Sequence, residues 1–325
     1  MLLSAASLPL HAQDPRPLND PGYRYYEVGA LDAPRASHTE PAMMLMGGGK
    51  WVPAAFQWWL DRAGHGRVVI LRASGADELQ DRLYREIGGV ASVQTLVFNS
   101  RRAADDPAVL GVIAAADAIF IAGGDQSRYI RFWKGTAVNE ALNAHVRAGR
   151  PIAGTSAGLA ILGGYSYGAL DGGSVTSRRA LRDPMGAAVT LDTDFLTMPY
   201  LANVVTDTHF GKRDRLGRLI VFVARAAQRS GLQDMVGLGV DEDTALCVEA
   251  DGTGRVFSRA GGYAWLVMPQ RAADRLRDGQ PLDFHAIPVT GVGAASRLHL
   301  DDFQVEDAAF QVTADIRKGH LQLRR

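Results

Sequence analysis

A serine between glycines, in Gly154-Thr155-Ser156-Ala157-Gly158, carries the strongest chemical signal in this chain. Before it, Pro151-Ile152-Ala153 reads as the end of a buried strand; after it, Leu159-Ala160-Ile161-Leu162 reads as a helix. Gly-x-Ser-x-Gly between a strand and a helix is the nucleophile-elbow pattern. The turn is so tight that a Cβ on either side would collide with neighbouring backbone. The serine is left strained, its hydroxyl exposed at the carboxyl edge of a sheet. A helix N-terminus there also favours developing negative charge. The chemistry is acyl transfer to a serine.

A serine hydroxyl attacks well only when a base takes its proton. Of eight histidines, His11 and His38 fall in an N-terminal tail, His65 in a turn and His145 near a helix end. His285, His299 and His320 lie in a C-terminal part without catalytic pattern. His209 sits among Asp207, Arg213, Arg215 and Arg218, just before a long amphipathic helix, and is the base candidate. An orienting acid is expected in turn. Asp171, fifteen residues after Ser156, is favoured; Asp207, Asp241 and Glu242 are further candidates. Backbone N–H groups of Ala157 and Gly124 would stabilise an oxyanion. Arg215 and Arg218 either hold a substrate carboxylate or form a solvated helix face. No histidine pair has metal-ligand spacing, and the one cysteine, Cys247, lies in the apolar run Thr244–Val248, so no metal is expected.

These residues need a scaffold, and the pattern supplies one. Strands are predicted at 42–46, 67–73, 93–98 and 117–122, alternating with helices at 54–60, 77–87, 107–113 and 137–146. Such alternation specifies a doubly wound, mostly parallel sheet with helices on both faces. Ligands collect at the carboxyl ends of such strands. The Gly-rich strand ends at 47–49, 123–124 and 154–158 should therefore converge. Residues 163–184 read as a surface or active-site loop, and 246–258 as a hairpin turning at Asp251-Gly252.

With 35 basic and 35 acidic residues in 325, the chain has no electrostatic footprint for nucleic acid. A small or peptide-like substrate is expected. Residues 1–13 are apolar and too short to span a membrane. They read as the remnant of a secretory signal, which points to a periplasmic or extracellular protein; read as a tail, they leave it cytoplasmic. The expected organisation is this leader, an irregular arm at 14–40, an α/β domain at 41–260 and a β-rich extension at 261–325 packed on it.

Four ordered motifs resemble the cyanophycinase family of serine peptidases, relatives of the aspartyl dipeptidases. They are Gly-Gly-Asp-Gln at 123–126, the elbow at 154–158, Asp-Thr-His-Phe-Gly-Lys-Arg-Asp-Arg-Leu-Gly-Arg-Leu at 207–219, and Gly-Val-Asp-Glu-Asp-Thr-Ala at 239–245. The resemblance, over roughly 42–258, implies a flavodoxin-like sheet similar to that of class I glutamine amidotransferases. It implies Ser156 as nucleophile, His209 as base, and Gln126, Asp207, Thr208, Arg215 and Arg218 around the substrate. It also implies cofactor-free hydrolysis of β-aspartyl bonds, with cyanophycin cut to β-aspartyl-arginine. Family members are often dimers, so a homodimer is compatible with it. Two positions depart: the family reads Asp-Gln-His-Phe where this chain has Thr208, and a triad glutamate expected after the elbow helix is absent between Ser156 and His209. Aspartyl dipeptidases carry an aspartate at the spacing of Asp171. The alternatives are an α-aspartyl dipeptidase or esterase using the same elbow, and a non-catalytic binding member.

Overall fold

The computed structural model describes residues 19–20, 22–75 and 79–325. The leader at 1–13, residues 14–18 and 21 of the arm, and the first two residues of the helix expected from 77 lie outside these.

Five parallel strands form the centre of an eleven-stranded sheet, in the order Ser92–Phe98, Arg67–Arg72, Ala118–Ile121, Ile152–Thr155, Met43–Met46. Counted from Arg67, the first four take the order 2-1-3-4 of a flavodoxin-like sheet. The fifth parallel place is filled by Met43–Met46, from earlier in the chain. These strands are apolar on both faces, as parallel strands covered on both sides must be. Leu45, Val69, Leu71, Ile119 and Ile121 face the helices Pro107–Ala115, Gln126–Trp133 and Ala137–Arg147. Met44, Met46, Val68, Ile70 and Phe120 face Phe56, Trp59 and Leu83 on the other side. The doubly wound architecture is as the sequence predicts.

The arm is a correction. Tyr23–Gly29 is a strand, antiparallel to Ser92–Phe98 through seven paired positions, with Tyr23 and Tyr25 buried. Alternating tyrosines supply its inward face, a pattern hidden among prolines and polar residues.

A six-stranded sheet begins with the parallel pair Val204–Asp207 and Val236–Val240 and continues antiparallel through Ala264–Val267, Phe284–Val292, Phe310–Arg317 and His320–Arg324. Val236, Leu238 and Val240 face the central core, while Gly237 and Gly239 face the helix Leu216–Ser230 and Phe210. A Cβ on Gly237 would stand 2.8 Å from Leu219 Cγ, so the glycines set how closely the helix lies. The hairpin Thr244–Val248 with Thr253–Ser258 turns at Asp251-Gly252 as expected and joins the first sheet beside Met43–Met46. Residues beyond 260 do more than pack on the domain. They add Ala264–Val267 to the second sheet and Arg297–His299 to the first.

Candidate active site

The elbow forms as its glycines require. Ser156 has φ 52° and ψ −117°, a conformation side-chain-bearing residues avoid and that costs on the order of 1–3 kcal/mol. A Cβ on Gly158 would come within 2.1 Å of the Ile121 carbonyl oxygen, and one on Gly154 within 2.7 Å of the Gly158 oxygen. Backbone bonds hold the turn: Ser156 N–H donates to Met46 O at 3.1 Å, and Ala160 N–H to Ser156 O at 2.9 Å. The helix beyond is short, Ala157–Ala160, rather than running through Leu162.

His209 arrives from the other sheet. The chain leaves strand Val204–Asp207, and His209, itself at φ 47°, donates its N–H to Gly47 O at 2.7 Å. Gly48 lies against the imidazole, where a Cβ would fall 2.4 Å from Cε1. The ring's Nε2 is then 2.7 Å from Ser156 Oγ. Gly123 passes the other side of the serine, its ideal Cβ position 3.3 Å from Ser156 Cβ, with Gly124 next to it. The three glycine-rich strand ends do converge.

The acid on the far side of the imidazole is Glu242, whose Oε1 is 2.6 Å from His209 Nδ1. This corrects the choice of Asp171, which is exposed in the loop before Gly172-Gly173 and makes no hydrogen bond to His209. The cause is topological. Val204–Asp207 and Val236–Val240 are parallel neighbours with Asp207 opposite Gly239, so the residues that leave the two strands emerge at one edge. That signal was present in the sequence, as two apolar runs each succeeded at once by charged residues. Asp241 is spent on structure, accepting from Gly211 N, Tyr263 N and Trp265 Nε1.

Burial holds His209 below the ordinary histidine value of 6.5, against the Glu242 hydrogen bond and with the help of the Arg213 and Arg215 charges. For Glu242, burial would raise the carboxyl. The hydrogen bonds from Lys212 and His209 outweigh it and hold the group below the usual range. A neutral imidazole bonded to a carboxylate on Nδ1 presents a free lone pair to the serine on Nε2, which is what a general base needs.

A cleft of about 450 Å³ opens over Ser156. Gly124, Gln126, Thr208, His209 and Arg215, all singled out from sequence, line it together with Arg131, Arg213 and Gly172–Ser174. Asp207 and Arg218 do not, which corrects their assignment to substrate. Arg218 donates to both Asp207 oxygens, at 2.7 and 2.5 Å, and to Ser174 Oγ at 2.6 Å. Its side chain is 2% exposed, so it is neither a solvated face nor a ligand-facing group. Arg215 reaches past it to Thr208 O at 2.7 Å and Thr208 Oγ1 at 3.0 Å. Burial pulls the Arg215 guanidinium down to about 10, so it remains charged at neutral pH. Cys247 is buried on its strand, and burial raises its thiol well above the usual value. Among the described residues no group of metal-binding side chains is assembled, and no helix is long and apolar enough to cross a membrane.

An elbow serine bonded to an imidazole that is bonded to a carboxylate defines a serine hydrolase. The chain belongs to peptidase family S51, whose pattern it matches over residues 78–254, and is a serine peptidase. It is 29% identical over 238 residues to a cyanophycinase of Trichormus variabilis, covering 72% of this chain and 73% of that one. It is 35% identical over 206 residues to a cyanophycinase of Synechococcus elongatus, covering 62% and 58%. A peptidase structure from an acI-B1 Actinobacterium shares 17% identity at a TM-score of 0.48, over 72% of this chain and 96% of that one.

Proposed function

We propose that this protein is an exopeptidase of cyanophycinase type, hydrolysing peptide bonds at β-linked aspartyl residues through an acyl-enzyme. The continuous relay from Ser156 through His209 to Glu242, with bonds of 2.7 and 2.6 Å, carries the reading. In the proposed sequence Ser156 Oγ attacks the scissile carbonyl carbon while His209 Nε2 takes the hydroxyl proton. That carbon is the main-chain one in cyanophycin, where release of β-aspartyl-arginine leaves the side-chain amide intact, and the side-chain one in a β-linked dipeptide. Negative charge develops on the carbonyl oxygen, beside the N–H groups of Gly124 and Ala157. Collapse of this adduct breaks the C–N bond, and His209 returns the proton to the departing amine. Water then attacks the ester with the same base, freeing the carboxylate and Ser156.

The substrate class is supported by the relatives named cyanophycinase and by the cleft's cations. The C-terminal residue of cyanophycin and an isoaspartyl dipeptide each carry a free α-carboxylate, and Arg131, Arg213 and Arg215 give such a group cationic partners. Thr208 stands where the family pattern has a substrate-side glutamine, and this departure supports small isoaspartyl peptides as a second substrate reading beside the polymer. The non-catalytic alternative rested on a missing triad glutamate, and Glu242 removes that support.

The test is amine release from cyanophycin, β-aspartyl-arginine, β-aspartyl-leucine and α-aspartyl-leucine, with Ser156→Ala as control. Cleavage of cyanophycin or of the β-linked dipeptides by wild type alone is expected. Cleavage restricted to α-aspartyl-leucine, or of none, would overturn the proposal.

A further inference from the structure

Glu242 has two oxygens, and only one of them meets the imidazole. The other, Oε2, is 2.7 Å from Lys212 Nζ. Lys212 lies three residues after His209 in the turn before the helix Leu216–Ser230, so base and lysine grip one carboxylate from the same turn. The Glu242 side chain is 17% exposed and that of Lys212 72%. The lysine's stem is therefore open to solvent while its ammonium closes the outer side of the relay. We propose that Lys212 is a positioning residue for the acyl-transfer reaction, fixing the Glu242 carboxylate toward His209 and weakening its hold on the imidazolium.

A carboxylate with one hydrogen bond can rotate about its terminal torsion; with two on opposite oxygens it is held in plane. The ammonium also offsets part of the negative charge that stabilises a protonated His209. Other charges face the pair from every side. Arg213 Nε is 4.0 Å from Glu242 Oε1, on the same turn as the lysine. Asp243, from the facing loop, raises Lys212 weakly after the two Glu242 effects. Arg215 acts on His209 from the start of the helix, and Asp207 beneath is met by Arg218 and Arg215. Lys212 is the cation that donates to the relay carboxylate directly. Its removal leaves Glu242 more negative toward the imidazole, so His209 holds its proton to higher pH.

The inference rests on the serine-peptidase reading, and the test separates the two. The rate at which a fluorophosphonate labels Ser156 is measured from pH 4.5 to 9 in wild type, Lys212→Gln and Lys212→Arg. Labelling needs the serine and its base but no peptide recognition. In Lys212→Gln the acid limb is expected to move up by roughly half a pH unit, the scale of a partly screened neighbouring charge. The plateau is expected to fall about 3- to 10-fold, while Lys212→Arg keeps the wild-type limb. An unmoved limb in Lys212→Gln, with or without a lower plateau, overturns the role of Lys212 and leaves the reading intact. Failure of wild type to label at any pH overturns the reading itself and this inference with it.

Discussion

Asp207 and His209 are two residues apart, yet the charge clusters they found have opposite characters. Asp207 sits sealed with Arg218, both side chains 2% exposed, in a fork of 2.7 and 2.5 Å. His209 and Glu242 meet at 2.6 Å, but at the rim, where Lys212 and the cleft reach them. Bond lengths do not distinguish the two; access does. The sealed pair keeps its charges in one state and ties strand Val204–Asp207 to the helix Leu216–Ser230 and to Ser174 beside the cleft. In the proposed mechanism the rim pair changes its proton state with each turnover, so it needs one open face and a serine within reach.

The widest separation between the two clusters is expected from Ser156→Ala. Loss of the nucleophile should lower kcat by about 10⁴- to 10⁶-fold. The backbone bonds of the elbow remain, so the Tm should stay close to that of wild type. Steady-state kinetics with a matched thermal melt checks both; measurable turnover near wild type would remove Ser156 from the chemistry.

Next in size comes the choice of acid. Glu242→Gln should cost about 10²- to 10⁴-fold in kcat, because an amide orients the imidazole poorly and cannot stabilise its protonated form. Asp171→Asn should leave kcat within about twofold, since that side chain is exposed and unpaired with His209. The reverse ranking in parallel kinetics would restore Asp171 and make the Glu242 contact incidental.

The sealed cluster should fail differently. Arg218→Met removes both Arg218 bonds to Asp207 and leaves a 2% exposed carboxylate with only Thr208 N–H at 2.8 Å and Arg215 at 3.4 Å, a defect worth about 3 kcal/mol of folding stability. Denaturant unfolding should show the loss, and fluorophosphonate labelling of the fraction still folded should stay close to wild type. A stable variant with weakened peptide binding would instead mean that Arg218 opens to substrate.

The same contrast explains what could be read in the chain. Ser156 was legible because its whole context, strand, turn and helix, is contiguous. The doubly wound sheet was legible because period and length separate buried strands from helices locally. His209 stood out by its charged neighbours. Glu242 is one acidic candidate among several in the sequence, because its place depends on parallel pairing between segments about thirty residues apart, with Asp207 set against Gly239. Spacing along the chain carries no such register. The burial of Asp207 and Arg218 was illegible for a related reason. A charged helix residue looks solvated unless the partner strand is known, and here the strand Val204–Asp207 brings the one carboxylate that makes burial tolerable. Tyr23–Gly29 escaped because its main partner, Ser92–Phe98, lies some seventy residues away.

The smallest effect is one of pH, and its sign tests how the rim pair is balanced. The working form of the base is neutral His209, whose pKa burial lowers from 6.5 while the Glu242 bond raises it. A base with a lowered pKa is active above that value and is lost as pH falls through it. The acid limb of kcat/KM should therefore have its midpoint below 6.5, with full activity at neutral pH, and Glu242 should still be ionised there because its own pKa is lowered. Glu242→Gln removes the contribution that raises His209, so its titration should move further down. NMR titration of the His209 Cε1 proton measures this even where turnover is too slow to detect. A wild-type midpoint above about 7 would mean that the carboxylate outweighs burial, and that the rim behaves more like the sealed cluster than its exposure suggests.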